Sequence, residues 1–331
     1  MKILRIAPVL LLVVGLLVVS FGSAGAQMDQ LVFSMVSHGG VGNSFWITVI
    51  KGMDDACVLL DADCAWLADP VDNIDDMAGY WDDALARNPD GIGTTVPNPE
   101  VIRDGVLRAN EAGIPVIVFN TADPNQGTPD ELDTLFYIGA SEFLGGQSNA
   151  RRVLAAAAED GVDIVRAVCP IQEVGHSGLE ARCAGVRSVM EEYGIEVDGL
   201  TTTNNITENT GITADYFAAN PETNAIFVLG PDPAQALGLY FEEAGRMPRD
   251  VYATTHDTSS EIYEMIQEGY LLQAIDQQPY LQGFETIMWL YLNSQFALAP
   301  GGDIFTGPGV IDLNNVEKVI ELTAGGRSEE R

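Results

Sequence analysis

Short apolar runs alternate with longer stretches of helical periodicity along almost the whole chain. The pattern predicts a strand at Leu31–Val36, a helix at Trp46–Leu60, a strand at Ala65–Leu67 and a helix at Ile74–Arg87. It continues with a strand at Gly91–Thr95, a helix at Pro99–Glu111 and a strand at Pro115–Phe119. Punctuation agrees with these limits: Asn88-Pro89-Asp90-Gly91 is a turn, and Ala112-Gly113-Ile114-Pro115 ends a helix before a strand. Strands that alternate with helices of this length predict a parallel, doubly wound sheet.

A second series follows. Strands are predicted at Asp163–Ala167, Glu196–Thr201, Ala225–Leu229, Val251–Thr254 and Leu272–Ile275. Helices are predicted at Gly178–Tyr193, Thr210–Ala219, Pro233–Ala244, Ser259–Glu268 and Leu281–Phe296. Asn220-Pro221-Glu222-Thr223 stands before one strand as Asn88-Pro89-Asp90 stands before another, which hints at an architectural repeat. A chain of 331 residues favours two domains over one. The expectation is therefore an α/β protein with two lobes of similar size. No low-complexity linker separates the series, so the chain should cross between lobes several times.

The first residues read differently. Lys2 and Arg5 precede an apolar run from Ala7 to Val19, and Ala24-Gly25-Ala26 puts small residues at the −3 and −1 positions of a cleavage site. This is the layout of a secretory signal peptide over residues 1–26, and the run is short for a membrane span of roughly 20 residues. No cysteine lies near the cleavage point, so no lipid anchor is expected.

Charge narrows the partners. With 16 Lys+Arg against 48 Asp+Glu the net charge is −32, and loss of residues 1–26 makes it −34. A hydrophobic fraction of 47% excludes a disordered acidic chain. Phosphate backbones and anionic lipids call for basic surfaces, so nucleic acid and membrane surfaces are excluded as partners.

Four cysteines suit an oxidising compartment. Cys57 with Cys64 and Cys169 with Cys183 is the simplest of three possible connectivities. Two residues seven apart on one helix lie roughly 10 Å from each other, too far for a disulfide. A Cys57–Cys64 bond therefore needs the helix to stop near Leu60 and turn through Asp61-Ala62-Asp63. Spacing gives no metal site, because there is no CxxC and no clustered His.

Ligands of open α/β sheets bind at the carboxyl ends of strands. The loops there hold Ser37-His38-Gly39-Gly40-Val41-Gly42-Asn43-Ser44-Phe45-Trp46, Asn120-Thr121, His176 with Arg182, Gly230-Pro231-Asp232, His256-Asp257 and Gln277-Gln278. The glycines after His38 do not make a dinucleotide motif, since Phe45 occupies the third position. No P-loop and no G-x-S-x-G occurs, and neighbours such as His256-Asp257 cannot form a triad, so no catalytic residue and no cofactor is expected. A monosaccharide fits the inventory better. Phe45 and Trp46 can cover its C–H face, while Asn120, Arg182, Asp257 and Gln277 pair with adjacent hydroxyls. Each has a structural alternative, Asn43 and Asp257 as helix N-caps above all.

With these residues assembled, the chain resembles the periplasmic sugar-binding proteins of ABC transporters, in the branch similar to ribose-binding protein. The resemblance rests on Ser37-His38-Gly39…Asn43-Ser44-Phe45-Trp46, Gly113-Ile114-Pro115-Val116-Ile117, Ile138-Gly139, Cys169…Glu173-Val174-Gly175…Arg182-Cys183…Gly185 and Ala274–Gly283. It implies two doubly wound parallel-sheet lobes joined by a three-stranded hinge, the type I periplasmic binding protein fold, closing over one sugar. The implied lobes are 27–140 with 278–306 and 141–277 with 307–331, with crossings near Ala140, Gln277 and Thr306. The resemblance assigns ligand contacts to Asn43, Phe45, Trp46, Asn120, Arg182, Asp257 and Gln277; the strand-end loops add His38 and Asp232 to the expected set, and a Cys169–Cys183 bond is supported. Thr121 stands where the family often has Arg, Gly230-Pro231-Asp232 replaces its usual Asn-Asp, and Ile206 stands where it has an aromatic, so the ribose pattern is broken. The implied function is a monomeric periplasmic receptor, not an enzyme, that delivers a monosaccharide or polyol to a permease. A chemosensory receptor with a non-sugar ligand is the alternative. A regulator of the lac-repressor type shares the architecture, but the export signal and the lack of a basic segment speak against it.

Overall fold

The computed structural model describes residues 30–327; the signal segment lies outside the described residues. Its first half runs β1 (Val32–Val36), α1 (Ser44–Leu60), β2 (Asp63–Leu67), α2 (Met77–Ala86), β3 (Gly91–Thr94), α3 (Pro99–Glu111), β4 (Val116–Phe119) and β5 (Tyr137–Ala140). Then follow α4 (Glu142–Asp160), β6 (Arg166–Ile171), α5 (Ser177–Glu192), β7 (Glu196–Thr201), α6 (Ile206–Ala219), β8 (Ala225–Phe227), α7 (Pro231–Glu243), β9 (Tyr252–His256), α8 (Ser260–Glu268) and β10 (Leu271–Asp276). The chain ends with α9 (Pro279–Phe296), β11 (Ile304–Gly307), β12 (Gly309–Asp312) and α10 (Val316–Arg327). Among the described residues no helix is long and apolar enough to cross a membrane.

Two six-stranded sheets result, ordered β11-β5-β4-β3-β1-β2 and β12-β10-β9-β8-β6-β7. All neighbours pair in parallel except β10 with β12. The two orders superpose element for element: β1 plays the part of β6, β4 that of β9, and β5 that of β10. The central strands of each sheet are buried on both faces, which is why β1 and β4 read as largely apolar runs, while the edge strand β7 is half-exposed and mixed in polarity. In β1, Phe33 and Met35 face α1 and α9 with Val49, Met53, Ile287 and Leu290, while Val36 faces Met77, Trp81, Ile102 and Val106. In β6, Cys169 packs with Cys183, Val186 and Val189 of α5, while Val168 packs with Leu237 and Ile262.

The chain passes between the sheets three times: at Ser141, at Gln277-Gln278, and at Pro308. Both disulfides form. Cys57 and Cys64 have Cα atoms 6.2 Å apart, because α1 stops at Leu60 and Asp61 turns the chain in the left-handed region at φ 52°. Cys169 on β6 joins Cys183 on α5, with Cα atoms 5.9 Å apart.

Three differences from the expected elements have clear causes. The helix α4 is absent from the sequence pattern because Gly145-Gly146 breaks it. Those glycines serve packing instead: a Cβ on Gly145 would sit 2.8 Å from His256 Nε2 and one on Gly146 2.0 Å from the Arg182 carbonyl oxygen, while on α5 a Cβ on Gly185 would sit 2.1 Å from the Phe143 carbonyl oxygen. The strand expected at Asp163–Ala167 lies at Arg166–Ile171 and runs through Pro170, which is tolerated because β8 pairs only with Ala167 and Val168. The strands β11 and β12 are four residues each, in a glycine-rich stretch with no alternation to read.

Candidate ligand-binding site

The carboxyl ends of β1, β4, β6 and β9, with the crossing at Gln277, surround a cavity between the lobes. His38, Asn43, Phe45, Trp46, Asn120, Arg182, Asp257 and Gln277 all line it. Asp232 does not. It sits in the first turn of α7, where Gly230 and Pro231 face the cavity and the Asp232 side chain lines an adjoining cleft with Ser44 and Tyr280. Residues outside the expected set complete the wall: Asp72, Gln172, Glu173, His176, Leu179 and Leu229.

A hydrogen-bonded chain runs through the floor from lobe to lobe. Asn120 donates to Gln277 Oε1 at 3.4 Å and to Gln282 Oε1 at 3.3 Å, and Gln277 donates to Asp257 Oδ1 at 2.6 Å. Asn120 and Asp257 hold equivalent places after β4 and β9, and both take left-handed backbone, at φ 60° and 66°. Asn and Asp enter that region more readily than other non-glycine residues. Asp257 is no helix cap: Ser259 caps α8.

Arg182 is almost wholly buried and held rigidly. Its Nε and Nη2 reach Glu142 Oε2 and Oε1 at 2.6 and 3.1 Å, a bidentate pair. Its Nη1 donates to the Leu229 carbonyl at 2.6 Å and lies 3.6 Å from Asp257 Oδ2. Burial opposes the Arg182 charge, but Glu142 and Asp257 outweigh it and hold the guanidinium protonated. Burial pushes the Asp257 carboxyl up to about 7, with Arg182 and Gln277 working the other way.

The opposite wall is aromatic. Trp46 lies edge-on to His38 and Phe45, with ring centroids 4.8 and 4.9 Å away. Its Nε1 donates to Asp72 Oδ1 at 2.8 Å. Asn43 does two jobs: Oδ1 caps α1 by accepting from the Phe45 amide, and Nδ2 donates to Asp72 Oδ2 at 3.1 Å. Across the lobes, Asn204 Nδ2 lies 3.2 Å from Asp72 Oδ2 and 3.2 Å from Glu173 Oε1.

His176 caps α5 with its ring. Nδ1 accepts from the Gly178 and Leu179 amides at 3.0 and 3.4 Å, so the proton of the neutral ring sits on Nε2. That Nε2 lies 3.1 Å from His38 Nε2, which must therefore accept, leaving His38 Nδ1 to donate to Thr95 Oγ1 at 2.9 Å. Burial first, then the charge of Arg182, lowers the His176 pKa to about 3; burial, His176 and Arg182 keep His38 well below its ordinary value. Nitrogen and oxygen atoms of His38, Glu173 and His176 come within 4.8 Å of one another, a cluster of metal-ligating types. The cap on His176 Nδ1 commits Nε2 to a proton, which disfavours a metal ion there.

Two similar lobes, ligand-type side chains at the equivalent strand ends and a hinge threaded three times define a two-lobed binding protein. The chain belongs to the periplasmic binding protein family, whose domain model matches residues 33–296. Members of that family bind solutes and are not enzymes. A xylose/arabinose-binding protein of Sulfolobus acidocaldarius is 28% identical over 288 residues, 84% of this chain and 70% of that protein. A carbohydrate transporter structure from Acidothermus cellulolyticus, in complex with myo-inositol, is 28% identical with a TM-score of 0.77, covering 88% of this chain and 98% of that one. A periplasmic sugar-binding protein from Legionella pneumophila is 26% identical with a TM-score of 0.77, covering 84% and 100%.

Proposed function

We propose that this chain is the exported solute receptor of a sugar ABC importer, capturing a monosaccharide or polyol between its lobes and handing it to a permease. The observation that carries the reading is the floor of the cavity. Asn120, Gln277, Asp257 and Arg182 form one continuous set of donors and acceptors, opposite an aromatic wall of Phe45 and Trp46. Carboxylates only accept and guanidinium only donates, so the set discriminates hydroxyl geometry. The similarity to the xylose/arabinose-binding protein and to the myo-inositol complex supports the same class of ligand.

The cavity measures about 40 Å³, far below the 300 Å³ or more of a typical ligand pocket. Entry therefore requires the lobes to part, and we take 27–140 with 278–306 and 141–277 with 307–331 as the bodies that move about the three crossings. A ligand that touches both lobes shifts the population towards closure. The signal reading of residues 1–26 supports export of the receptor to the periplasm.

A thermal-shift screen of pentoses, hexoses, inositols and amino acids tests the reading. A sugar or polyol should raise the melting temperature of the wild type and do so far less for Asp257→Ala. Stabilisation by amino acids alone would sink it, as would an undiminished effect in the variant.

A further inference from the structure

Arg182 is the only cationic side chain among the described residues that line the cavity, and its charge is already used. Glu142 takes its fork, Leu229 takes Nη1, and Asp257 lies alongside. Asp72 and Glu173 bring two further carboxylates from opposite lobes to the outer end, and the one donor between them is the uncharged amide of Asn204. Neither histidine supplies charge, because the amide cap on His176 and the bond from its Nε2 to His38 fix both rings as neutral.

Two acceptor atoms at this end have no donor. Glu173 Oε2 and Gln172 Oε1 are sealed from solvent and accept no hydrogen bond, and both residues line the cavity. Buried acceptors left this way are costly, and a carboxylate more so than an amide. A neutral hydroxyl would satisfy one of them and leave the charge. An ammonium group supplies three donors and the charge together.

We infer that the solute carries an amine, an amino sugar or amino-polyol whose ammonium group sits among Glu173, Gln172 and Asp72 while its hydroxyls meet Asn120, Gln277 and Asp257. This rests on the receptor reading above and narrows its ligand class. Burial and then the Asp72 charge push the Glu173 carboxyl up to about 7; Arg182 and Asp232 also act on it, and His38 and His176 lie against it. A bound ammonium holds Glu173 ionised, so near pH 7 binding expels a proton.

Titration calorimetry at pH 7 with glucosamine, galactosamine and mannosamine, each beside its neutral parent hexose, tests the inference. At least one amine should bind about ten-fold or more tighter than its parent, with a binding enthalpy that follows the ionisation enthalpy of the buffer. Glu173→Gln should reduce that preference at least five-fold. Asp72→Asn gives the same comparison should the first variant not fold. A neutral hexose that binds as tightly as its amine overturns the inference and leaves the receptor reading standing. Stabilisation by zinc chloride alone, lost in His176→Asn, overturns it in favour of a metal ion. If neither amines nor any neutral sugar or polyol binds, the receptor reading itself fails.

Discussion

His38 and His176 meet Nε2 to Nε2 at 3.1 Å across the cleft, and every proton in that contact is assigned by its neighbours. The amides of Gly178 and Leu179 occupy His176 Nδ1, so His176 donates and His38 accepts. A proton added to either ring breaks the sequence of bonds, because two N–H groups would then face each other.

The first prediction concerns pH. His176 has a folded pKa of about 3 against roughly 6.5 unfolded, so the unfolded chain binds the extra proton between those values. The neutral ring therefore contributes no pH dependence above about 6.5, and stability falls as pH drops below it. His176→Asn keeps an oxygen to cap α5 and has no such titration. In urea unfolding, the wild type should lose about 1 kcal/mol relative to this variant between pH 7.5 and 5.5. An unchanged gap would contradict the neutral assignment.

Asp257 has the opposite sign. Its folded pKa is raised to about 7, above the roughly 3.9 of the unfolded chain, so the folded state holds the proton in between. The cost of burying its charge is full above pH 7 and is relieved as pH falls towards 4. Asp257→Asn should therefore be more stable than the wild type at pH 8, by an amount that shrinks by pH 5, while ligand stabilisation is lost. Urea midpoints at the two pH values check the first part and thermal shifts the second. A variant less stable at pH 8 would mean that the Arg182 pairing outweighs the burial.

Much of this architecture was legible because a doubly wound sheet buried on both faces writes itself as apolar runs between helical periods. The hydrophobic pattern missed α4 for a reason that is itself structural: Gly145 and Gly146 lower helix propensity, Gly146 so that α4 and α5 can touch backbone to backbone and Gly145 so that α4 can lie against His256 of β9. In the site, eight of the nine expected residues share one cavity, and Asp232 faces the neighbouring cleft. Asp72 is not distinguished by its neighbours, because Asp72-Asn73-Ile74-Asp75-Asp76 reads as solvated acid. Only the fold shows that one of these carboxylates turns inward to hold Trp46 and Asn43. The signal available was position, since the loop follows β2 at the same sheet edge as the others. The cap on α5 was equally hidden, because a histidine seldom takes that place.

The disulfides close loops of 7 and 14 residues. Chain-entropy arguments give about 2 and about 3 kcal/mol for loops of those lengths. Peptide mapping without reductant should find Cys57 joined to Cys64 and Cys169 joined to Cys183. The paired Cys169→Ala, Cys183→Ala variant should lower stability by about 3 kcal/mol, and more than the Cys57, Cys64 pair does. Free thiols at Cys169 and Cys183 would refute the pairing, and equal losses would refute the ranking.

Two glycine substitutions separate close approach from propensity. A Cβ on Gly146 would lie 2.0 Å from the Arg182 carbonyl oxygen and 2.9 Å from its carbon, backbone atoms that cannot rotate away. Gly146→Ala must push α4 from α5, and with it Glu142 from Arg182, which leaves a buried guanidinium poorly paired. Breaking a buried ion pair costs about 3–5 kcal/mol, so the variant should unfold at much lower denaturant and show no ligand stabilisation. Gly79 is also helical, within α2, but a Cβ there would meet nothing within 4 Å. Gly79→Ala should gain about 0.5–1 kcal/mol from propensity alone and leave binding untouched. Urea midpoints and thermal shifts on the two variants measure both effects. Comparable behaviour in the two would show that the contact between α4 and α5 does not hold Arg182 in place.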